Sequence, residues 1–340
     1  MKHKLSVLGA KYRDLTGHKI YLREIVMLNW KIKPEYRNIY ERTGDNGTVY
    51  LSFPALEDIG FIRHAFSTRL GGVSKNNQSS MNLSFSKEPL SRENVMENFS
   101  RITSVLGAKP DDLVFTQQTH TVNVKRAMPD DRGKGIIKPL DYSDVDGLIT
   151  DASGILLTAF FADCIPLYFA DPVHRAVGIA HSGWKGTLGK MGEVMTVRMA
   201  DEFMTEPKDL IVCIGPGICM DCYEISDEVA VKFIDRFKDI RGFKGLNQDF
   251  AGEGEYISQK NAGNMKKYIS DNADILREGR KGHYYLDLWK ANKLILMNAG
   301  IPPENIYISG VCTKCNSRFL FSHRVMGEDR GNMAAFIGIR

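Results

Sequence analysis

Between Asp112 and Ile214 the chain is a series of short apolar runs, each cut off by Asp, Gly or Pro, and this rhythm restricts the fold more than any other feature. The runs Asp112–Thr116, Gly147–Thr150, Ile155–Phe161, Pro166–Ala170, Ala176–Ala180 and Leu210–Ile214 read as strands. Longer stretches with helical period are Arg92–Leu106, Thr187–Phe203, Asp227–Phe237 and Asp287–Ala299. Ser226 is placed to cap the third of these, and Gly300-Ile-Pro-Pro303 stops the last. Two late strands, Ile306–Val311 and Ala334–Ile339, close the pattern. Strands and helices intermixed in this way predict a single compact layered α/β sandwich.

Residues 1–48 read differently. They are polar, with charges throughout, no clear period and a turn signal at Arg42-Thr-Gly-Asp-Asn-Gly47. They are expected to form a loosely attached extension, its first roughly 45 residues dispensable for chemistry and Met27 a conceivable second start, with residues 49–340 expected to form the catalytic domain. Within it, Phe243–Arg280 is rich in Gly, Asn and Lys and is expected to be a helical or looped insertion. A hydrophobic fraction of 43% against 25% charged residues supports a sizeable core. The net charge is only +4 and no basic run is interleaved with aromatics, so nucleic acid is not an expected partner, whereas a small anion is compatible. No stretch approaches the roughly 20 apolar residues that cross a bilayer. The first residues lack the apolar core of an export signal, and six cysteines in 340 residues do not form a secreted disulfide scaffold. A cytoplasmic enzyme is expected.

The most specific feature is the position of His120, Cys164 and His181. Each lies at or just past the end of an apolar run: Leu113-Val-Phe-Thr-Gln-Gln-Thr-His120, Thr158-Ala-Phe-Phe-Ala-Asp-Cys164 and Val177-Gly-Ile-Ala-His181. Strand ends in a layered fold can converge, and two imidazoles with one thiolate leave a fourth position open, the arrangement of catalytic zinc. Copper is the alternative metal. Spacing alone also leaves open three unconnected core residues, since cysteine is commonly buried and a lone strand histidine is usually structural.

Two neighbouring segments suggest an anion. His181-Ser-Gly-Trp-Lys-Gly186 is a glycine-bearing turn expected to open a helix at Thr187, with Lys185 adding a cation. Ser67-Thr-Arg-Leu-Gly-Gly-Val-Ser74 presents Arg69 in a flexible loop. Two Cys-x-x-Cys pairs, Cys219/Cys222 and Cys312/Cys315, could in principle join in a four-thiolate zinc site. About ninety residues lie between them, against roughly 15–20 in a zinc ribbon, so separate buried thiols are expected. Of the other histidines, His323 in Phe321-Ser-His-Arg324 is the candidate for the pocket.

Taken in order, these segments resemble the YfiH-type family, long labelled laccase-domain or multicopper polyphenol oxidase proteins and now largely read as purine nucleoside phosphorylases. The likeness runs from about Tyr50 to Arg340. It is carried by Phe66-Ser-Thr-Arg-Leu-Gly-Gly-Val-Ser74 with Met81-Asn-Leu83, by Gln118-Thr-His120, Ala162-Asp-Cys164 and His181-Ser-Gly-Trp-Lys-Gly186. Gly215-Pro-Gly-Ile-Cys-Met-Asp-Cys-Tyr-Glu224, Cys312-Thr313 and Phe321-Ser-His-Arg324 complete it. Thr121 stands where glycine is common, Lys185 replaces an arginine, and His323 replaces a usual tyrosine.

The resemblance implies an α/β sandwich with mixed sheets, related to the catalytic domain of a cytotoxic necrotizing factor toxin. It implies zinc on His120, Cys164 and His181, and phosphorolysis of adenosine, inosine or methylthioadenosine with companion adenosine deamination. Arg69 is then the expected phosphate-side cation, with Lys185 and Arg324 as further candidates and Gln118 on the substrate side. Asp163, beside Cys164, is expected to orient a ligand rather than to transfer a proton. A four-copper oxidase is disfavoured, because the chain has 8 His and no His-x-His. The remaining rivals are a hydrolase with Cys164 as nucleophile and His181 as base, acting on a peptidoglycan-precursor-like substrate, and a binding module without turnover. Monomer and homodimer both stay open.

Overall fold

The computed structural model describes residues 28–36, 38–237, 240 and 275–340. Most of the expected Phe243–Arg280 insertion and residues 1–27 therefore lie outside the described residues. In chain order the strands are β1 (Tyr40–Thr43), β2 (Val49–Ser52), β3 (Ile62–Ser67), β4 (Leu113–Phe115) and β5 (Val124–Arg126). Next come β6 (Gly147–Thr150), β7 (Leu156–Phe161), β8 (Ile165–Asp171), β9 (Ala176–Ser182) and β10 (Ile211–Ile214). The last are β11 (Glu224–Ser226), β12 (Leu276–Glu278), β13 (His283–Leu286), β14 (Ile306–Ile308) and β15 (Met333–Ile339). They form a six-stranded sheet in the order β1-β2-β3-β15-β7-β4, a second in the order β14-β10-β8-β9-β6-β5, and a small sheet β11-β13-β12.

Both large sheets are mixed. In the first, β15 runs antiparallel to β3 and β7, while β4 is parallel to β7. In the second, β8, β9 and β6 are successively antiparallel, and the edge strands β14 and β5 are parallel to their neighbours. The two-residue period of a strand sorts their side chains into separate cores. On β8, Tyr168 and Ala170 enter the core between the sheets, while Ile165, Leu167 and Phe169 face the helices Met191–Phe203 and Leu288–Asn298. On β15, Met333, Ala335 and Ile337 face the second sheet, while Ala334 and Phe336 pack under the helix Arg92–Val105 through Val95, Phe99 and Ile102. Helix, sheet, sheet and helices therefore form four layers, the α/β sandwich expected. Tyr168 is fully buried, and its hydroxyl donates to the Ala65 carbonyl at 3.0 Å, so its phenol is satisfied within the sheet–sheet core.

Three departures from the sequence reading have physical causes. The helix expected at Thr187–Phe203 is two helices, Trp184–Leu188 and Met191–Phe203, broken where Lys190 takes a left-handed conformation (φ 58°). The interior strand β3 went unread because Arg63 and His64 interrupt its apolar pattern. His64 is buried nonetheless, its Nε2 accepting the Phe53 N–H at 2.8 Å, and burial lowers its pKa to about 4. The described part of the N-terminal segment is docked. β1 is an edge strand paired with β2, and Trp30 packs on Phe319 at 4.9 Å between ring centroids. No helix among the described residues is long and apolar enough to cross a membrane.

Phe99 is fully buried beneath sheet one, against Phe85, Phe115 and Phe160. Phe99→Ala is expected to lower stability by about 3–5 kcal/mol in chemical denaturation. A loss below about 1 kcal/mol would contradict this packing.

Candidate metal centre and active site

The three strand ends meet. The atoms of His120, Cys164 and His181 that could hold a metal ion all lie within 4.8 Å of one another. Sheet register explains two of them. Pro166 pairs with His181 across β8 and β9, so Cys164, at the turn that enters β8, stands beside the end of β9. Gly147 pairs with Ala180 across β6 and β9, and this puts Asp146 beside His181. The third ligand is brought in by hydrogen bonds. The buried Asp146 carboxylate accepts the N–H groups of Thr119, His120 and Thr121 at 2.9, 3.2 and 3.0 Å, which folds the His120 loop down onto sheet two. His120 takes a left-handed backbone there (φ 66°).

The same carboxylate lies 2.7 Å from Nδ1 of His181, and Asp146 O accepts the His181 N–H at 2.8 Å. With Nδ1 committed to Asp146, Nε2 is the ring nitrogen left for a ligand role. Burial would push the Asp146 carboxyl up, yet the His181 bond and the backbone N–H groups bring its pKa below the usual carboxylate value. Burial likewise works against a charged Cys164, but His181 and His120 outweigh it and bring the thiol down to about 6. Burial disfavours an imidazolium at His181, and the Cys164 thiolate and Asp146 reverse that, raising it to about 9. A thiolate prepared by two imidazoles, one of them oriented by a carboxylate, suits a borderline metal ion such as zinc. Gly183 makes room for the thiolate: a Cβ on it would lie 2.8 Å from Cys164 Sγ and 3.5 Å from His120 Cδ2.

A pocket of about 390 Å³ opens over these ligands. Its wall includes Phe85, Phe115, Phe160 and Phe161, with Ser84, Gln118, Arg330 and Asn332 as polar groups. Gln118 is held rigidly, its Oε1 accepting from Phe160 N–H and its Nε2 donating to the Phe160 carbonyl, both at 2.8 Å. Other sequence candidates lie elsewhere. Arg69 spends its guanidinium on the carbonyls of Ser79 (2.8 Å) and Ser317 (3.1 Å) and on the face of Phe321. Lys185 is exposed over Trp184, Arg324 donates to the Glu224 carbonyl, and His323 is exposed near Glu328. None of the four lines the pocket.

Asp163 does not hold a ligand ring. Its carboxylate accepts from Thr313 Oγ1 at 2.5 Å and from the Arg324 N–H at 2.7 Å; Asp146 is the orienting carboxylate. Sequence reasoning missed both Asp146 and Arg330. Asp146 directly precedes the run Gly147–Thr150, as a turn aspartate would, and Arg330 sits in a polar stretch with no period. Neither carries a local signal; each is placed by sheet pairing.

Comparison with known proteins fits this geometry. The chain matches the family described as multi-copper polyphenol oxidoreductase laccase over residues 63–259 and 251–340. The chain belongs to this family. A member from Geobacillus stearothermophilus, named purine nucleoside phosphorylase YlmD, is 32% identical over 279 residues, covering 81% of this chain and 89% of that protein. The Bacillus subtilis protein of the same name is 31% identical over 277 residues, covering 81% and 87%. The crystal structure of YlmD from Geobacillus stearothermophilus has a TM-score of 0.69 at 30% identity, covering 86% of this chain and 96% of that one. As a member of this family the chain is similar to enzymes named for nucleoside phosphorolysis and not only to proteins labelled as oxidases.

Asp146→Asn removes the charge that holds both histidines while preserving shape. It is expected to weaken metal binding roughly 10–100-fold, as loss of an orienting carboxylate does elsewhere. Competition against a chelator measures this, and an unchanged affinity would contradict the role given to Asp146. Gly183→Ala should also lower metal content, because its Cβ meets Cys164 Sγ.

Proposed function

We propose that this enzyme is a zinc-dependent purine nucleoside phosphorylase, acting on adenosine, inosine and methylthioadenosine, with adenosine deamination as a companion activity. The observation that carries the reading is the content of one pocket: a His120/Cys164/His181 ligand set, an aromatic wall, and the half-buried Arg330. The names of the relatives support the same reaction. Phe85, Phe115, Phe160 and Phe161 offer an aromatic, apolar wall against which a purine can pack.

Arg330 supplies the cation for phosphate. Its Nη1 donates to Asn332 Oδ1 at 2.6 Å, while its buried Nε has no hydrogen-bond partner among the described residues. Burial lowers its pKa somewhat, but an arginine remains charged near neutrality. A guanidinium of this kind holds an oxyanion beside the sugar and excludes water from that position. In phosphorolysis a phosphate oxygen bonds to C1′ as the bond from C1′ to the purine nitrogen breaks. The electron pair leaves with the purine, which takes up the proton of hydrogen phosphate, and the products are ribose 1-phosphate and the free base. Arg69, which the sequence suggested for this role, instead ties the loop at Ser79 to that at Ser317. Zinc held by His120, Cys164 and His181 would supply Lewis acidity, the property that makes a water nucleophilic near neutral pH and that deamination requires.

Copper at the same three ligands is the alternative metal. The paired histidines of a several-copper oxidase do not assemble among the described residues, where only His120 and His181 join a ligand group. A second reading, with Cys164 as nucleophile, is favoured by its lowered thiol pKa and by its partner His181. Cys164→Ser separates the two: loss of zinc from the His120/His181 site together with activity supports a ligand, and zinc retained at that site with lost activity supports a nucleophile.

Inosine cleavage is expected to need inorganic phosphate and to yield ribose 1-phosphate, identified by mass. Arg330→Ala should cost one charge-assisted contact, about 1.5–3 kcal/mol, or roughly ten- to a hundredfold in phosphate affinity, while zinc stays bound. Free ribose released at an unchanged rate without phosphate would overturn the proposal.

A further inference from the structure

We propose that Cys219, Cys222, Cys312 and Cys315 bind a second metal ion, a structural zinc, at a site separate from the pocket. Distance along the chain argued against such a site, and topology removes the objection. β10 and β14 are parallel neighbours, with Ile214 paired to Ile308, so the segments leaving them run side by side in the same direction. Gly217 then bridges Cys312: the Gly217 N–H donates to the Val311 carbonyl at 3.2 Å, and the Thr313 N–H donates to the Gly217 carbonyl at 3.1 Å. One Cys-x-x-Cys turn follows each strand, and parallel pairing brings the two turns together.

All four Sγ atoms lie within 4.8 Å of one another, and those of Cys222 and Cys315 are 3.5 Å apart. A tetrahedral ion with Zn–S bonds of about 2.3 Å separates its sulfurs by about 3.8 Å, so only a small closure is needed. The turns are built to present sulfur. The Cys222 N–H closes one onto the Cys219 carbonyl at 3.0 Å, and the Asn316 N–H closes the other onto the Cys312 carbonyl at 3.0 Å. The N–H groups of Cys219 and Cys315 point at Cys312 Sγ, at 3.3 and 3.4 Å, where they favour a thiolate. Lys33, whose charge acts on Cys219, pairs with Asp221, the residue before Cys222, and Arg277 pairs with the same carboxylate.

Four protein sulfurs fill a tetrahedral shell and leave no position for substrate, which makes the site structural. None of the four cysteines lines the pocket. What the ion would fix is visible in the bonds around it. Thr313, inside the second turn, holds the Asp163 carboxylate, and the Ile218 N–H, beside the first, holds the Asp163 carbonyl at 2.9 Å. Asp163 has a left-handed backbone (φ 93°) and precedes the ligand Cys164, so the two turns set the strained corner from which that ligand projects. Asn316, next to Cys315, exchanges hydrogen bonds with both backbone groups of Lys31, so the same knot anchors the N-terminal segment.

The test uses the full chain purified without added metal, with zinc and thiols counted per chain. Wild type should carry two zincs. Cys164→Ser should carry one, released in proportion when a mercurial titrates the four clustered thiols. The double variant Cys222→Ser/Cys315→Ser should also keep one, at the histidine site, and melt at a lower temperature. If that variant does not fold, the mercurial titration of Cys164→Ser alone decides. A Cys164→Ser protein without zinc, with its clustered cysteines as free thiols or as two disulfides by intact mass, would overturn the proposal while leaving the reading of the pocket standing.

Discussion

The buried carboxylate of Asp146 is the interaction on which the rest of the site depends. An unpaired carboxylate at that depth would be strongly unfavourable, and the fold supplies successive backbone N–H groups from Thr119, His120 and Thr121 together with the ring of His181. Each donor that satisfies the charge is also a constraint on one of the two histidines that face Cys164. The N–H groups fix the loop that carries His120, and the ring bond selects the nitrogen His181 offers. Asp146 can occupy this place because β6 and β9 are neighbours, and that pairing is set in turn by the apolar alternation of the second sheet.

The four layers serve the site by dividing the work. The sheet–sheet core and the two helix–sheet cores are filled by aliphatic and aromatic side chains sorted by strand period, so the strand ends are held without help from the ligands. The polar chemistry gathers at the rim where β4, β6, β7, β8, β9 and β15 begin, end or turn. A rigid scaffold with its reactive groups on the connecting loops is the usual economy of such folds. The thiolate of Cys164 shows how closely the rim is fitted, since the backbone of Gly183 approaches it at a distance no side chain would allow.

Much of this was legible in the sequence, and what was not has a common cause. Short apolar runs bounded by turn residues report strands directly, so β6 to β10 and β15 were read within a residue or two, and the convergence of His120, Cys164 and His181 was legible because all three residues sit at ends of such runs. β3 was hidden because a buried histidine and a half-buried arginine fall on its pattern, and the break at Lys190 because a left-handed lysine has no compositional mark. Asp146, Arg330 and the meeting of the two Cys-x-x-Cys turns were illegible for one reason: each depends on which strands become neighbours. Pairing between β10 and β14, about ninety residues apart, is a property of the closed sheet and not of any local segment. Arg69 illustrates the opposite error. Its glycine-bearing loop has the look of an anion site, and the fold uses its guanidinium to tie two loops together.

The central claim is that the sugar leaves the purine for phosphate and not for water. Its most direct measurement is the origin of the oxygen on C1′ when inosine is cleaved with ordinary phosphate in water enriched in heavy oxygen. The account predicts ribose 1-phosphate whose C1′ oxygen comes from phosphate and carries no label. Heavy oxygen at C1′ in the first-formed sugar would show that water is the attacking group, and would contradict the account.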